Sequence, residues 1–165
     1  MNGSMVKRSD KIAYMGVKGD DDSYSYHRMK GFSAFSISKN PKQYKRQYID
    51  ETFEQTDIAG YSPSVSYTFD QYLGNPVHSE IIRISDGELI GTDAIVPIIL
   101  VDMTKDVLGG GKAAVKRDFT LVPDSEGSDL ETYTYSGSLK VKSGKINGTA
   151  ATADNWETIT FTESD

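Results

Sequence analysis

The segment Gly109-Gly110-Gly111-Lys112 is the first place to look for chemistry, because glycine-rich loops followed by lysine can cradle phosphates. A phosphate loop also needs a glycine five residues before its Gly-Lys pair and a Ser or Thr after it. Asp106 and Ala113 stand there instead, so the segment reads as a flexible loop. Ser36-Ile37-Ser38-Lys39 has the serine–lysine spacing of penicillin-recognising enzymes, whose serine begins a helix; this serine ends an alternating strand. His27 and His78 are the only histidines and there is no cysteine, so zinc would need carboxylates at spacings that do not occur. His78, off the apolar stripe that follows Pro76, reads as solvent-exposed or at an interface. Asp20-Asp21-Asp22 and the run Asp124 to Asp129 offer oxygen ligands, but neither completes a twelve-residue calcium loop with its closing glutamate. Asn147-Gly148-Thr149 matches a glycosylation acceptor, yet without a secretory signal it reads as a tight hairpin turn. No carboxylate pair is singled out for glycoside hydrolysis. The expectation is no enzyme, with no catalytic, cofactor-binding or metal-binding residue.

The elements that would position any such residue are nearly all strands. Val65, Tyr67 and Phe69 alternate with Ser64, Ser66, Thr68 and Asp70, the period-two signature of a half-buried strand. Asn75-Pro76 supplies an N-cap and a first-turn proline, and Val77, Ile81 and Ile84 follow on one stripe, which predicts a helix over about 76–86. Ala94 to Val101 is almost continuously apolar, as in a strand covered on both faces. Further strands are expected at Lys30–Ser38 (Phe32, Ala34 and Ser36 on one face, Phe35 and Ile37 on the other), Tyr48–Asp57, Val115–Val122 (stopped by Pro123), Tyr133–Lys142 and Trp156–Thr162, with Lys39–Gln47 a basic loop or single helical turn. The fold class is therefore mainly β: a two-sheet β-sandwich or flattened barrel with one short flanking α-helix. Residues 1–28 read as a flexible N-terminal arm with at most one short strand around Ile12 to Val17, and 29–165 as a single domain.

A chain of 165 residues is long enough for one core. Eighteen basic against twenty-four acidic residues give a net charge of −6, which argues against gripping nucleic acid, though not against letting it pass. The longest apolar run is about eight residues, short of the ~20 that span a bilayer, so no membrane insertion is expected. The opening residues have no apolar core of signal-peptide type, which points to cytosolic synthesis.

The run from Asp57 to Met103, then RDFTLVPDSEG, YTYSGSLKVKSGK and the closing DNWETITFTES, resembles in order the major tail tube proteins of long-tailed bacteriophages that infect Gram-positive bacteria. The resemblance covers roughly Met29 to Ser164. It implies a β-sandwich with one flanking helix, hexameric rings stacked into a hollow tube, and DNA that leaves through the tube without specific binding. It further implies a place in the virion tail after synthesis in the host bacterial cytoplasm. Partners would be further copies and other tail proteins such as the tape measure and tail terminator. In such proteins, sheets of neighbouring subunits join around the channel. The strands Tyr48–Asp57 and Ser64–Asp70 fit that role best, placing Asp50, Thr52, Glu54, Thr56, Ser64, Ser66, Thr68 and Asp70 toward the lumen as a carboxylate-bearing wall. Tyr24, Tyr26, Tyr44, Lys45, Arg46, Tyr48, Gly109, Gly110 and Gly111 are the candidate assembly contacts, since tyrosine is enriched at interfaces and these segments lack a core of their own.

A different class stays open on the residues alone. Ten tyrosines on a β-protein could stack sugars, as in a monomeric carbohydrate-binding module. That would need several aromatics on one exposed face, whereas Tyr67, Tyr133 and Tyr135 fall on the inward phase.

Overall fold

The computed structural model describes residues 3–165; Met1 and Asn2 lie outside the described residues. In chain order the strands of the first half are β1 (Lys11–Lys18), β2 (Tyr24–Arg28), β3 (Phe32–Ser38), β4 (Pro41–Arg46), β5 (Gln55–Tyr61) and β6 (Ser64–Asp70). After the helix α1 (Pro76–Asp86) come β7 (Ile95–Asp106), β8 (Lys112–Glu126), β9 (Thr134–Val141), β10 (Ile146–Ala151) and β11 (Thr158–Glu163). All pairings are antiparallel.

Strands β10, β11, β2, β1, β7 and β8 pair in that order, and β8 returns to β10, which closes a six-stranded barrel. Closure depends on the length of β8. Its first half holds β10 (Val115 opposite Asn147), while its second half takes β9 instead (Leu121 opposite Leu139). From there β9, β6 and β3 extend the sheet beyond the barrel, and β3 ends it as an open edge. The remaining pair, β4–β5, is a separate two-stranded sheet.

Two cores result. Tyr14, Ile99, Val101, Ala114, Ala150 and Ile159 fill the barrel. Met15, Val96 and Ile98, from the opposite faces of β1 and β7, pack with Phe69, Leu139 and the α1 residues Val77, Ile81 and Ile84. Both β1 and β7 are thus covered on both sides, as the apolar run at Ala94 to Val101 anticipates. The helix begins where expected. The Asn75 side chain accepts from the Val77 and His78 amides at 3.0 and 3.2 Å, and Pro76 occupies the first turn. Burying Ile81 and Ile84 completely stabilises the helix–sheet contact by about 1.5–3 kcal/mol per side chain.

Several expectations are corrected. Residues 11–28 are two barrel strands rather than a flexible arm, with Tyr14 and Met15 fully buried. The short strand expected around Ile12 to Val17 is β1, but it is a barrel strand covered on both faces, and the second strand β2, which is mostly polar, was not expected. The expected loop Lys39–Gln47 is mostly β4, and the expected strand Tyr48–Asp57 is mostly the irregular segment between β4 and β5. A bulge at Ser33 brings Phe32 onto the face of Phe35 and Ile37, not that of Ala34 and Ser36. Pro123 does not stop β8, which passes it through another bulge. Gly148 lies within β10 rather than in a turn, because Phe161 and the Thr162 carbonyl occupy the space a Cβ would need.

Candidate functional site

The most distinctive surface is the outer face of the sheet β8-β9-β6-β3. Directly opposed residues of an antiparallel pair share a face. Ser66 therefore stands between Ser36 and Ser138, Thr68 between Ala34 and Ser136, and Ser64 between Ser38 and Lys140. Asp70 sits opposite Thr134 and accepts from the Thr132 hydroxyl at 2.9 Å; Ser125 and Ser136 share a hydrogen bond of 2.7 Å. On β9, β6 and β3 the face is mostly small hydroxyls, with Ala34 and the charges Asp70 and Lys140, and β8 adds Asp118, Thr120 and the exposed Val122. Its inner side carries Val65, Tyr67 and Phe69, all buried. Tyr67 fits only because its neighbour on β9 is Gly137, where a Cβ would lie 2.6 Å from both the Tyr67 hydroxyl and the Val122 carbonyl.

Ser64, Ser66, Thr68 and Asp70 thus share one face as the alternation indicated. Asp50, Thr52, Glu54 and Thr56 do not join them. The first three lie in the 47–54 tip of the β4–β5 hairpin, and Thr56 lies on β5, which pairs only with β4. The serines and threonines of β3 and β9 complete the face. Their signal was the small-polar phase of FSAFSIS and TYSGSLKV, which reads as ordinary solvent exposure until the strands are placed side by side.

The hairpin stands clear of the body, and every residue of β4 is exposed. Tyr44, Tyr48, Ile49, Phe53, Ile58 and Tyr61 are exposed on it, with Ile49 over 100%. Arg46 lies over the rings of Tyr44 and Tyr48, at 5.0 and 5.8 Å from their centroids. A two-stranded hairpin alone is marginal in water, so this much exposed apolar surface calls for a partner. Of the other candidate contacts, Tyr24 is exposed, but Tyr26 packs against the barrel core. The glycine segment is no long flexible loop. β7 and β8 run up to a tight turn at 107–111, stapled by Gly110 N–H to Val107 O at 3.1 Å. All three glycines have positive φ, and a Cβ on Gly111 would meet the Ala150 carbonyl at 2.6 Å. Gly109 and Gly110 remain open to solvent.

Two more residues differ from expectation. Tyr133 is exposed and donates to Glu126 at 3.0 Å; it precedes β9 and escapes the alternation of that strand. His78 is fully buried, not at the surface. At about 100° per residue it falls between Ile81 and the half-buried Ile82, so the buried face of α1 is wider than the Val77–Ile81–Ile84 stripe. Its Nδ1 accepts from the Tyr72 amide at 3.1 Å, which leaves Nε2–H to donate to the Lys30 carbonyl at 2.7 Å. Its ring stacks on Phe69, with centroids 4.3 Å apart. Burial holds its pKa below the usual value, against smaller opposing effects of the Lys30 carbonyl and Asp70. Burial likewise pushes the Tyr14, Tyr67 and Tyr135 hydroxyls up to about 12. Burial is the largest cause in each case, and it holds these groups in their neutral forms. Among the described residues no group of three or more His, Cys, Asp or Glu is placed to hold a metal ion.

No family model and no curated protein sequence matches the chain. Solved structures do share its fold. A chain from the tail of an empty gene transfer agent particle, computed with helical refinement and C6 symmetry, superposes with a TM-score of 0.59 at 13% identity, over 86% of this chain and 97% of that one. A chain from the virion of a native gene transfer agent particle gives 0.57 at 16% identity, over 86% and 97%. A chain from the six-fold symmetrised baseplate of the anti-feeding prophage gives 0.50 at 8% identity, over 89% and 97%.

Proposed function

We propose that this chain is a structural subunit of a phage-type tail, and within it the tube subunit. Copies form hexameric rings, the rings stack into a hollow tube, and DNA leaves through the tube. The chain then belongs to the virion tail, is made in the host bacterial cytoplasm, and meets tape measure and terminator proteins at the tube's ends. A Gram-positive host rests on the sequence resemblance alone.

The observation that carries this reading is the hydroxyl face of β8-β9-β6-β3 together with its open β3 edge. An exposed edge is a template for pairing with another chain unless something covers it. Joined edge to edge around an axis, such sheets would present their small hydroxyls to the channel. The wall would be close to neutral, since Asp70 and Lys140 are its only charges on β6 and β9. It replaces the carboxylate-rich wall expected from Asp50 and Glu54, which lie elsewhere. Without excess lysine or arginine it offers DNA phosphates no counterion-releasing grip, so the duplex slides. The shared fold with tail and baseplate chains supports the same reading. A monomeric carbohydrate-binding module is disfavoured, because the flat face carries no aromatic side chain.

Negative-stain micrographs and size-exclusion chromatography over a range of concentrations test the proposal. Rings or tubes are expected as concentration rises. A particle that stays at 18.2 kDa throughout would overturn it.

A further inference from the structure

A groove of about 420 Å³ runs beside the open β3 edge, between it and the segment leading into β1. Ile12, Phe32 and Phe35 form its floor, and Arg8, Lys11 and Arg28 its rim. Arg8 is fixed across it, donating to the Lys11 and Phe35 carbonyls at 2.6 and 3.4 Å with its guanidinium 6.0 Å from the Phe35 ring centroid. Lys11 is 3.5 Å from Asp102. Among the described residues, Arg8 and Arg28 have no carboxylate partner. The groove is therefore apolar below, with two uncompensated cations above.

The hairpin tip has the opposite character. Its sequence from Tyr48 to Glu54 is YIDETFE. Ile49 and Phe53 are exposed. Asp50 and Glu54 are exposed without a cation, while Glu51 is engaged by Gln55 at 2.8 and 3.0 Å. Two apolar side chains flanked by two unpaired carboxylates match a floor of aliphatic and aromatic side chains rimmed by two unpaired guanidinium groups.

We infer that the tip 47–54 of one copy docks into this groove on a second copy. The tip does not serve its own groove. The hairpin strands separate it from the end of β3 by roughly 20 Å of chain, at ~3.3 Å per residue, and no residue of 47–54 lines the groove. The contact joins two different surfaces, so each copy offers one tip and one groove. Such heterologous contacts close into rings or propagate as helices. Burial of Ile49 and Phe53 supplies the apolar attraction, while Arg8 and Arg28 against Asp50 and Glu54 set register and partner choice. This inference rests on the self-assembly proposed above and names the contact within it.

The chain has no cysteine, which allows a direct test. A variant carrying both Thr52→Cys and Ser33→Cys places one thiol in the tip and one at the groove mouth, leaving Ile49 and Phe53 in place. Under mild oxidation of assembled protein, a ladder of covalent multimers is expected on a non-reducing gel. Either single substitution should give nothing beyond dimers. Charge reversal provides a second measurement. Asp50→Lys with Glu54→Lys, or Arg8→Glu with Arg28→Glu, should raise the concentration needed for assembly at least about tenfold, and all four together should restore it. Wild-type assembly without a ladder, or with reversals that change nothing or fail to rescue each other, overturns the docking inference and leaves the tube reading standing. A wild type that never assembles overturns both.

Discussion

Replacing His78 with alanine removes a buried side chain whose every polar atom is engaged, and the cost can be built from those contacts. Two hydrogen bonds, to the Lys30 carbonyl and from the Tyr72 amide, contribute about 0.5–1.5 kcal/mol each. The stack on Phe69 adds about 0.5–1.5 kcal/mol, and the space left by a fully buried ring adds a cavity cost. The sum is about 3–5 kcal/mol, which for a domain of this size lowers the melting midpoint by roughly 6–20 °C. The histidine also confers a pH dependence with a definite sign. Protonation would turn Nδ1 from an acceptor into a donor facing the Tyr72 N–H, and burial already disfavours the charge, so the folded pKa lies below the unfolded value near 6.5. The unfolded chain therefore takes up the proton first. The stabilisation is fully present above pH 6.5 and is lost as pH falls through the depressed folded value. Urea unfolding of wild type and His78→Ala at about pH 7.5 and about pH 5.5 measures both effects, because groups common to the two proteins cancel in the difference. The gap should be wide at the higher pH and narrower at the lower. A gap below about 1 kcal/mol at the higher pH, or one that does not shrink on acidification, would refute the reasoning.

Gly137→Ala should destabilise the subunit by about 1–3 kcal/mol in the same urea experiment, since the new methyl would meet the Tyr67 hydroxyl and the immobile Val122 carbonyl. An unchanged midpoint would mean that Tyr67 does not pack there. Ser66→Lys should leave folding within about 0.5 kcal/mol of wild type, because the position is exposed. In virions it should slow DNA ejection, most at low ionic strength, by adding cations to the proposed channel wall. Ejection at the normal rate at low salt would remove this face from the channel.

The parts legible in the sequence are those whose cause is local or whose burial is one-sided. Asn75-Pro76 and the Val77–Ile81–Ile84 spacing specify α1, because a cap, a first-turn proline and an apolar stripe act within a few residues. The β6 alternation is legible because one face of that strand meets a core and the other does not. The unbroken run at Ala94 to Val101 likewise signals cover on both sides. Three other features needed the tertiary structure. β1 reads in the sequence only as a short isolated strand, and its central place in the barrel comes from pairing with β7 some eighty-five residues away (Tyr14 opposite Ile99). The β4–β5 hairpin buries neither face in the isolated subunit, so its pattern carries no phase and the sequence misplaced both strands and tip. Asn147-Gly148 reads as a turn locally, yet that glycine exists to admit Phe161 from a neighbouring strand. Periodicity records only which side of an element is covered. Which strands become neighbours, and so which serines gather into one face or which cations rim one groove, is decided by long-range pairing that leaves no local trace.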